Sequence, residues 1–148
     1  MNNIQLDFKY LQLKNVIYED YQAVNEKNIS LNIAKFINLL NKSQIKTYGP
    51  IILCLEEINE HLNLKIMTQA KELDFSNKYF KQYKDFRSKR CIYSRFKGNL
   101  QNIKFTNKKM EVFAYEKELM VDGREYIVIL EYTDSFVTID LYKQLLSI

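Results

Sequence analysis

Apolar positions along the chain follow two different periods, and the same succession of periods occurs twice. Apolar residues recur every three or four positions over residues 29–40, which predicts an amphipathic helix, and less regularly over 110–117, where a second helix is expected. Continuous apolar runs at 51–55 and 126–130 predict central strands that are buried on both faces. Each predicted helix is therefore followed by a buried strand.

Strands are also expected at the beginning and the end of each half. Residues 11–21 and 91–96 are rich in β-forming side chains and are bounded by polar residues, and residues 62–68 and 136–142 provide a closing strand in each half. Both halves therefore read in the order β-α-β-β.

The two halves also align weakly with each other, and Gly49 falls on Gly123, where each is predicted to supply a positive φ in a turn after the helix. We interpret the chain as one domain, residues 1–148, built from pseudo-repeats at about 4–72 and 88–146. The expected fold class is α+β: duplicated βαββ halves form a curved antiparallel sheet with the helices on one side and a ligand groove on the other.

The segment between the halves combines aromatic and basic residues. Four aromatic residues recur at helical spacing with lysines between them, which predicts an amphipathic connecting helix over residues 76–86. These four are Tyr79, Phe80, Tyr83 and Phe86. Basic residues far outnumber the one acid, Asp85, over 78–97, and such a segment can neutralise phosphates and stack on bases. Binding of nucleic acid is therefore an alternative, although packing of the aromatic stripe is favoured.

The composition favours a cytoplasmic protein without a membrane partner. Cys54 and Cys91 are flanked by apolar residues, as expected of buried thiols in a reducing compartment. Residues 1–10 lack the apolar run of a signal peptide, and no stretch reaches the ~18 apolar residues of a membrane span.

The sequence predicts neither a metal site nor a cofactor. One histidine, His61, and two distant cysteines do not make the four ligands of a structural zinc, and the chain has no glycine-rich phosphate loop. Cys54 and His61 would resemble a nucleophile and its base if they were close, but the apolar surroundings of Cys54 favour an inert thiol. Enzymatic activity is left open, and a non-catalytic protein is favoured.

Short motifs in both halves resemble those of the GyrI-like family, which includes gyrase-inhibitory proteins and the effector-binding domains of some bacterial transcription activators. The motifs are Tyr48-Gly49-Pro50-Ile51-Ile52-Leu53 in the first half, and Cys91-Ile92-Tyr93-Ser94-Arg95-Phe96-Lys97-Gly98, Asp122-Gly123-Arg124-Glu125-Tyr126 and Glu131-Tyr132 in the second. No DNA-binding unit precedes them, so the chain resembles the standalone members. The tryptophan common in the family helices is absent.

This resemblance implies a concave sheet that binds bulky aromatic or cationic small molecules, with an acidic residue in the pocket. It also implies a transcription factor or DNA gyrase as a regulatory partner. The matching acid is Glu131 or Glu125, and Glu131 is preferred because it shares a strand phase with Ile127 and Ile129 and aligns with Glu57.

Aromatic residues complete the predicted site. Tyr18 and Tyr93 occupy equivalent places in the first strand of each half, which would set them across the groove from each other. Tyr126 and Phe113 are added as further candidates for ligand contact. A carboxylate walled by such rings attracts a lipophilic cation through charge and cation-π contact. The alternative is that Glu131 ends its strand in solvent and that the tyrosines are ordinary core or surface residues.

Two classes of function follow. The favoured one is a small-molecule binding protein, used as a sensor, a sequestering protein or a detached regulatory domain. Some relatives of this fold hydrolyse reactive ligands, so a pocket glutamate could double as a general base. The alternative from another class is the nucleic-acid-associated protein that would use residues 78–97.

Overall fold

The structure is a computed structural model that describes residues 6–99 and 102–146, and within these residues it has an α+β architecture with antiparallel strand pairs. In chain order its elements are β1 (Asp7–Lys9), β2 (Gln12–Tyr21), a short 3-10 helix (Glu26–Asn28), α1 (Ile29–Ser43), β3 (Thr47–Ile58), β4 (His61–Ala70), β5 (Lys81–Arg87), β6 (Cys91–Asn99), α2 (Ile103–Glu116), β7 (Val121–Thr133) and β8 (Phe136–Leu145). No helix in this part of the chain is long and apolar enough to cross a membrane. The predicted α+β class is confirmed.

Contacts divide the chain into two units. The first, here called the N-unit, is Gln12–Arg87, and the second, the C-unit, joins Met1–Leu11 to Ser88–Ile148. Hydrogen-bonded neighbours follow the order β3-β4-β2-β5 in the N-unit and β7-β8-β6-β1 in the C-unit. Each unit contains the predicted βαββ order, β2-α1-β3-β4 and β6-α2-β7-β8. The assignment of residues 1–148 to a single domain stays a prediction.

The sheet of the C-unit has one face packed against α2. Met110 and Ala114 of α2 join a buried cluster with alternate residues of the strands, while the residues between them point the other way. The strand residues of this cluster, which define the α2 face, are Phe8, Ile92, Phe96, Ile127, Ile129, Val137, Ile139, Leu141 and Leu145. Directly paired residues of antiparallel strands lie on the same side, so the opposite face carries Tyr93, Arg95, Tyr126, Asp140 and Tyr142. We call this second surface the tyrosine face.

Both faces of the N-unit sheet contain buried apolar residues. Ile17 and Ile66 lie on one face, and Val16 and Met67 lie on the other, and all four are at most 1% exposed. The N-unit sheet is therefore shielded from water on both faces at these positions.

The two predicted glycine turns are wrong as turns. Gly49 lies within β3 and Gly123 within β7, where the pairing with the neighbouring strand shifts register. Both glycines have positive φ, +83° and +89°, as the sequence predicts. Each glycine therefore belongs to an irregularity inside a long strand, because positive φ distorts the ladder without ending it.

The connecting helix predicted over residues 76–86 is also wrong, because β5 occupies Lys81–Arg87 and pairs with β2. The predicted aromatic stripe is accordingly divided among different environments. Phe80 is buried with its ring 5.2 Å from Phe36 of α1, whereas Tyr79 is 47% exposed. Pairing with a neighbouring strand has overridden the helical spacing of the aromatics.

We expect Gly49→Ala to lower the free energy of unfolding by about 1–2 kcal/mol, because an alanine is strained at positive φ. Glu60→Gly should have the opposite effect. Asn59 and Glu60 form a two-residue β3–β4 hairpin loop in which Glu60 has φ +69°, a conformation that glycine adopts without strain. Urea denaturation of both variants measures the two shifts, and equal signs would contradict this account.

Candidate functional site

A nearly buried carboxylate lies at the centre of the tyrosine face. Asp140 of β8 is 7% exposed and is paired across the sheet with Arg95 of β6. The Arg95 guanidinium holds both carboxylate oxygens, with Nε donating to Oδ1 at 2.8 Å and Nη2 donating to Oδ2 at 3.1 Å. The Tyr93 hydroxyl donates a further hydrogen bond to Oδ1 at 2.8 Å. These contacts satisfy a charge that has lost most of its water.

Tyrosine rings surround this carboxylate. The ring centroids of Tyr93 and Tyr142 are 5.1 Å apart, and the two rings are tilted by 56°. Tyr142 of β8 also pairs with Tyr126 of the neighbouring strand, β7. Tyr126 is 1% exposed, and its hydroxyl donates to Gln144 Oε1 at 3.1 Å. Lys9 Nζ lies 4.0 Å from the centroid of the Tyr93 ring. The surroundings of Asp140 on the tyrosine face therefore combine a shielded carboxylate with aromatic π faces and side-chain cations.

Burial and charge set the protonation of these groups. Desolvation raises the pKa of Tyr142 to about 12, with the Asp140 charge acting in the same direction. The pKa of Tyr93 is raised by desolvation and by its hydrogen bond to Asp140. The hydrogen bond to Asp140 raises the pKa of Arg95 as well. Both phenols are therefore neutral and Arg95 is charged at neutral pH.

Glu131 lies on the tyrosine face because of a bulge in β7 that the sequence did not predict. The pairing of β7 with β8 shifts register between Ile129 and Glu131, so Ile129 pairs with Ile139 but Glu131 pairs with Thr138. The predicted shared phase of Glu131 with Ile129 is therefore wrong, because the bulge moves Glu131 to the side of Asp140. Glu131 is exposed there, and its role in binding stays a prediction.

Glu125 and Phe113 lie on the side of α2. The Glu125 carboxylate accepts from Lys143 Nζ at 2.7 Å, and Lys143, which is 5% exposed, also reaches Glu111 of α2 at 3.5 Å. Phe113 belongs to α2, and its ring is 6.0 Å from that of Phe8. The ligand contacts predicted for Glu125 and Phe113 stay predictions, and their positions are on the opposite face from Tyr93 and Tyr126.

Tyr18 belongs to a separate cluster in the N-unit. Its ring stacks on that of Tyr83 at 4.4 Å, and Lys65 Nζ lies 4.7 Å from the Tyr18 ring while donating to the Tyr83 hydroxyl at 3.0 Å. Asp20, paired across the sheet with Lys65, accepts from Lys81 Nζ at 3.1 Å. Of the basic residues in the segment 78–97, Lys81 and Arg95 are thus already paired with acids.

The two clusters occupy corresponding places in their own units. The first strand of the βαββ order pairs with its last strand in each case, bringing Arg95 opposite Asp140 in the C-unit and Asp20 opposite Lys65 in the N-unit. The acid is on the last strand of the βαββ order in the C-unit and on the first strand in the N-unit. Asp140, Arg95 and Tyr142 were all missed from the sequence, although period-two alternation over 136–145 places Asp140 and Tyr142 on one face of an otherwise apolar strand.

The cysteines are free and buried, as the sequence predicts. Burial raises the pKa of the Cys91 thiol to about 11. Among the residues that the structure describes, no group of three or more His, Cys, Asp or Glu side chains is arranged to hold a metal ion.

We expect both thiols to resist a disulfide reagent such as Ellman's reagent at pH 8 in the folded protein. Cys91 is fully shielded, and a pKa near 11 leaves about a hundredfold less thiolate than a pKa near 9 would. Two equivalents should react after denaturation. Rapid release of one equivalent from the native protein would contradict the burial described here, and Cys91→Ser would identify the thiol responsible.

No family model and no curated protein sequence matches the chain, but solved structures do. The C-terminal domain of EcmrR is similar with a TM-score of 0.72 at 7% identity, over 98% of this chain and 99% of that one. The structure of SAV2435 bound to tetraphenylphosphonium is similar with a TM-score of 0.55 at 9% identity, over 99% of this chain and 95% of that one. A hydrolase from Listeria innocua is similar with a TM-score of 0.61 at 10% identity, over 96% of this chain and 92% of that one. The predicted resemblance to the GyrI-like family is confirmed at the level of the fold.

Proposed function

We propose that this chain, which has the fold of the GyrI-like effector-binding domains, binds bulky aromatic cations on the tyrosine face of the C-unit. The observation that carries the proposal is Asp140, a carboxylate with a side chain only 10% exposed, in contact with Tyr93 and close to Tyr142.

The physical basis is the low polarity of the surroundings of Asp140. A charge attraction that water would screen becomes stronger where the carboxylate is shielded from solvent. Tyrosine rings add cation-π attraction and a large apolar contact area for an aromatic ligand. A ligand that spreads its positive charge over aromatic groups gains from both effects, whereas a small hydrated ion loses too much hydration to compete.

One of the similar structures supports this ligand class. SAV2435 was solved with tetraphenylphosphonium, a lipophilic cation, and its likeness covers nearly the whole of this chain. We include Glu131 as an outer carboxylate of the same face and Tyr93 as a ring contact, whereas Tyr126, which is 1% exposed, would support Tyr142 from the neighbouring strand. Ligand contact by Tyr18 is proposed separately, for the N-unit cluster of Tyr18, Tyr83 and Lys65 considered by itself.

We expect Asp140→Asn to weaken the binding of tetraphenylphosphonium about thirtyfold, because the cation keeps its desolvation cost and loses the partner charge. Isothermal titration calorimetry measures the change, with circular dichroism to show that the variant is folded. Glu125→Gln is the matched control, since it also removes one carboxylate but from the α2 face. If both substitutions weaken binding equally, the site is not on the tyrosine face.

Glu131→Gln should weaken the same ligand only about two- to fivefold, because an exposed carboxylate acts through water and is screened by salt. The effect should disappear at 0.5 M NaCl, while that of Asp140→Asn should persist. A loss as large as that of Asp140→Asn, and insensitive to salt, would make Glu131 the main acid of the site, as the sequence predicts.

A further inference from the structure

Cations of the protein itself already occupy the groups that would recognise a cationic ligand. Arg95 takes both oxygens of Asp140, and Lys9 lies over the ring of Tyr93. We propose that Arg95 is a built-in competitor that a cationic ligand must displace from Asp140, and that it thereby sets the affinity of the site. This inference rests on the proposed function, since it concerns the same carboxylate.

The two members of the ion pair differ in their access to water. The side chain of Arg95 is 50% exposed, whereas that of Asp140 is 10% exposed. Arg95 can therefore turn outward and exchange its hydrogen bonds for bonds to water, while Asp140 stays in place. Guanidinium is only weakly hydrated, so its position over a shielded carboxylate resembles that of a ligand cation.

Tyr93 keeps the carboxylate in position when Arg95 leaves. Its hydroxyl donates to Oδ1, the same oxygen that receives Arg95 Nε, while Arg95 Nη2 binds Oδ2. Departure of the guanidinium frees Oδ2 and part of Oδ1 but leaves the Tyr93 hydrogen bond intact. The carboxylate is then oriented and negative, which is the state that attracts a cation.

If Arg95 competes with the ligand, removing Arg95 should raise the affinity for the ligand. Removing a residue from a binding site ordinarily weakens binding, but removing a competing internal cation strengthens it. The gain must also depend on Asp140, because Arg95 competes for nothing else in this scheme. Lys9 should act in the same direction on the Tyr93 ring, but more weakly, since it is an exposed lysine in cation-π contact rather than a bidentate partner.

The test compares tetraphenylphosphonium binding by calorimetry for the wild type and three single variants. Arg95→Gln should tighten binding about tenfold, and Arg95→Lys should lie between, because lysine keeps the charge but loses the bidentate geometry. Lys97→Gln is the matched control: it removes the same charge on the same face of β6, opposite Thr138 instead of an acid. It should change the affinity less than about twofold, since exposed charges act weakly.

A double variant separates competition from a general charge effect. Arg95→Gln combined with Asp140→Asn should bind no more tightly than Asp140→Asn alone. In the wild type, the Arg95 Nε–H signal in a nitrogen-correlated NMR spectrum should exchange slowly with water and should lose that protection when the ligand is added.

The outcomes distinguish this inference from the proposed function. If Asp140→Asn abolishes binding but Arg95→Gln leaves it unchanged or weaker, the site stands and Arg95 is a supporting residue, so the inference fails. If Arg95→Gln does not fold, Arg95→Lys and the NMR signal decide in its place. If no variant binds tetraphenylphosphonium, both proposals fail.

Discussion

The pairing of Asp140 with Arg95 is the interaction on which the chemistry of the C-unit depends. Asp140 lies in the middle of a strand with apolar residues on either side, where an unpartnered carboxylate would carry a large desolvation cost. Arg95 and the Tyr93 hydroxyl together meet that cost. Because they are supplied by β6, the register between β6 and β8 is itself fixed by this contact as well as by the apolar residues of the α2 face. A slip of one residue would separate the pair and reverse both faces.

The same place in the N-unit carries the opposite arrangement of charges. There the last strand supplies a lysine, Lys65, and the first strand supplies the acid, Asp20. Lys65 is close to the stacked rings of Tyr18 and Tyr83, much as Asp140 is close to Tyr93 and Tyr142. One βαββ scaffold thus supports a tyrosine cluster around either sign of charge, because the backbone pairing fixes only the positions of the side chains. The two units are similar in order and different in electrostatics.

Local patterns predicted the regular elements well and the irregular ones poorly. The sequence predicts α1 and the central strands because each shows a single clear pattern. Residues 29–40 have a helical period, and the runs 51–55 and 126–130 are continuously apolar. β5 could not be predicted in this way, because its aromatic residues fit the spacing of a helix as well as that of a strand. Only the pairing with β2 distinguishes the strand from the helix. Asp140 was missed for a related reason. An acid in an alternating strand looks like a solvent-facing residue until its partner on another strand is known.

The bulge in β7 separates the spacing of residues along that strand from the face on which they lie. Deleting the extra residue, Leu130, would restore regular pairing with β8 and still leave Glu131 opposite Thr138, because Ile129 and Glu131 already pair with neighbouring residues of β8. A single-residue gap at this point between related chains would therefore leave both faces of the sheet unchanged. An acid that corresponds to Glu131 is accordingly identified by its partner on β8 and not by its distance along the chain from Ile129.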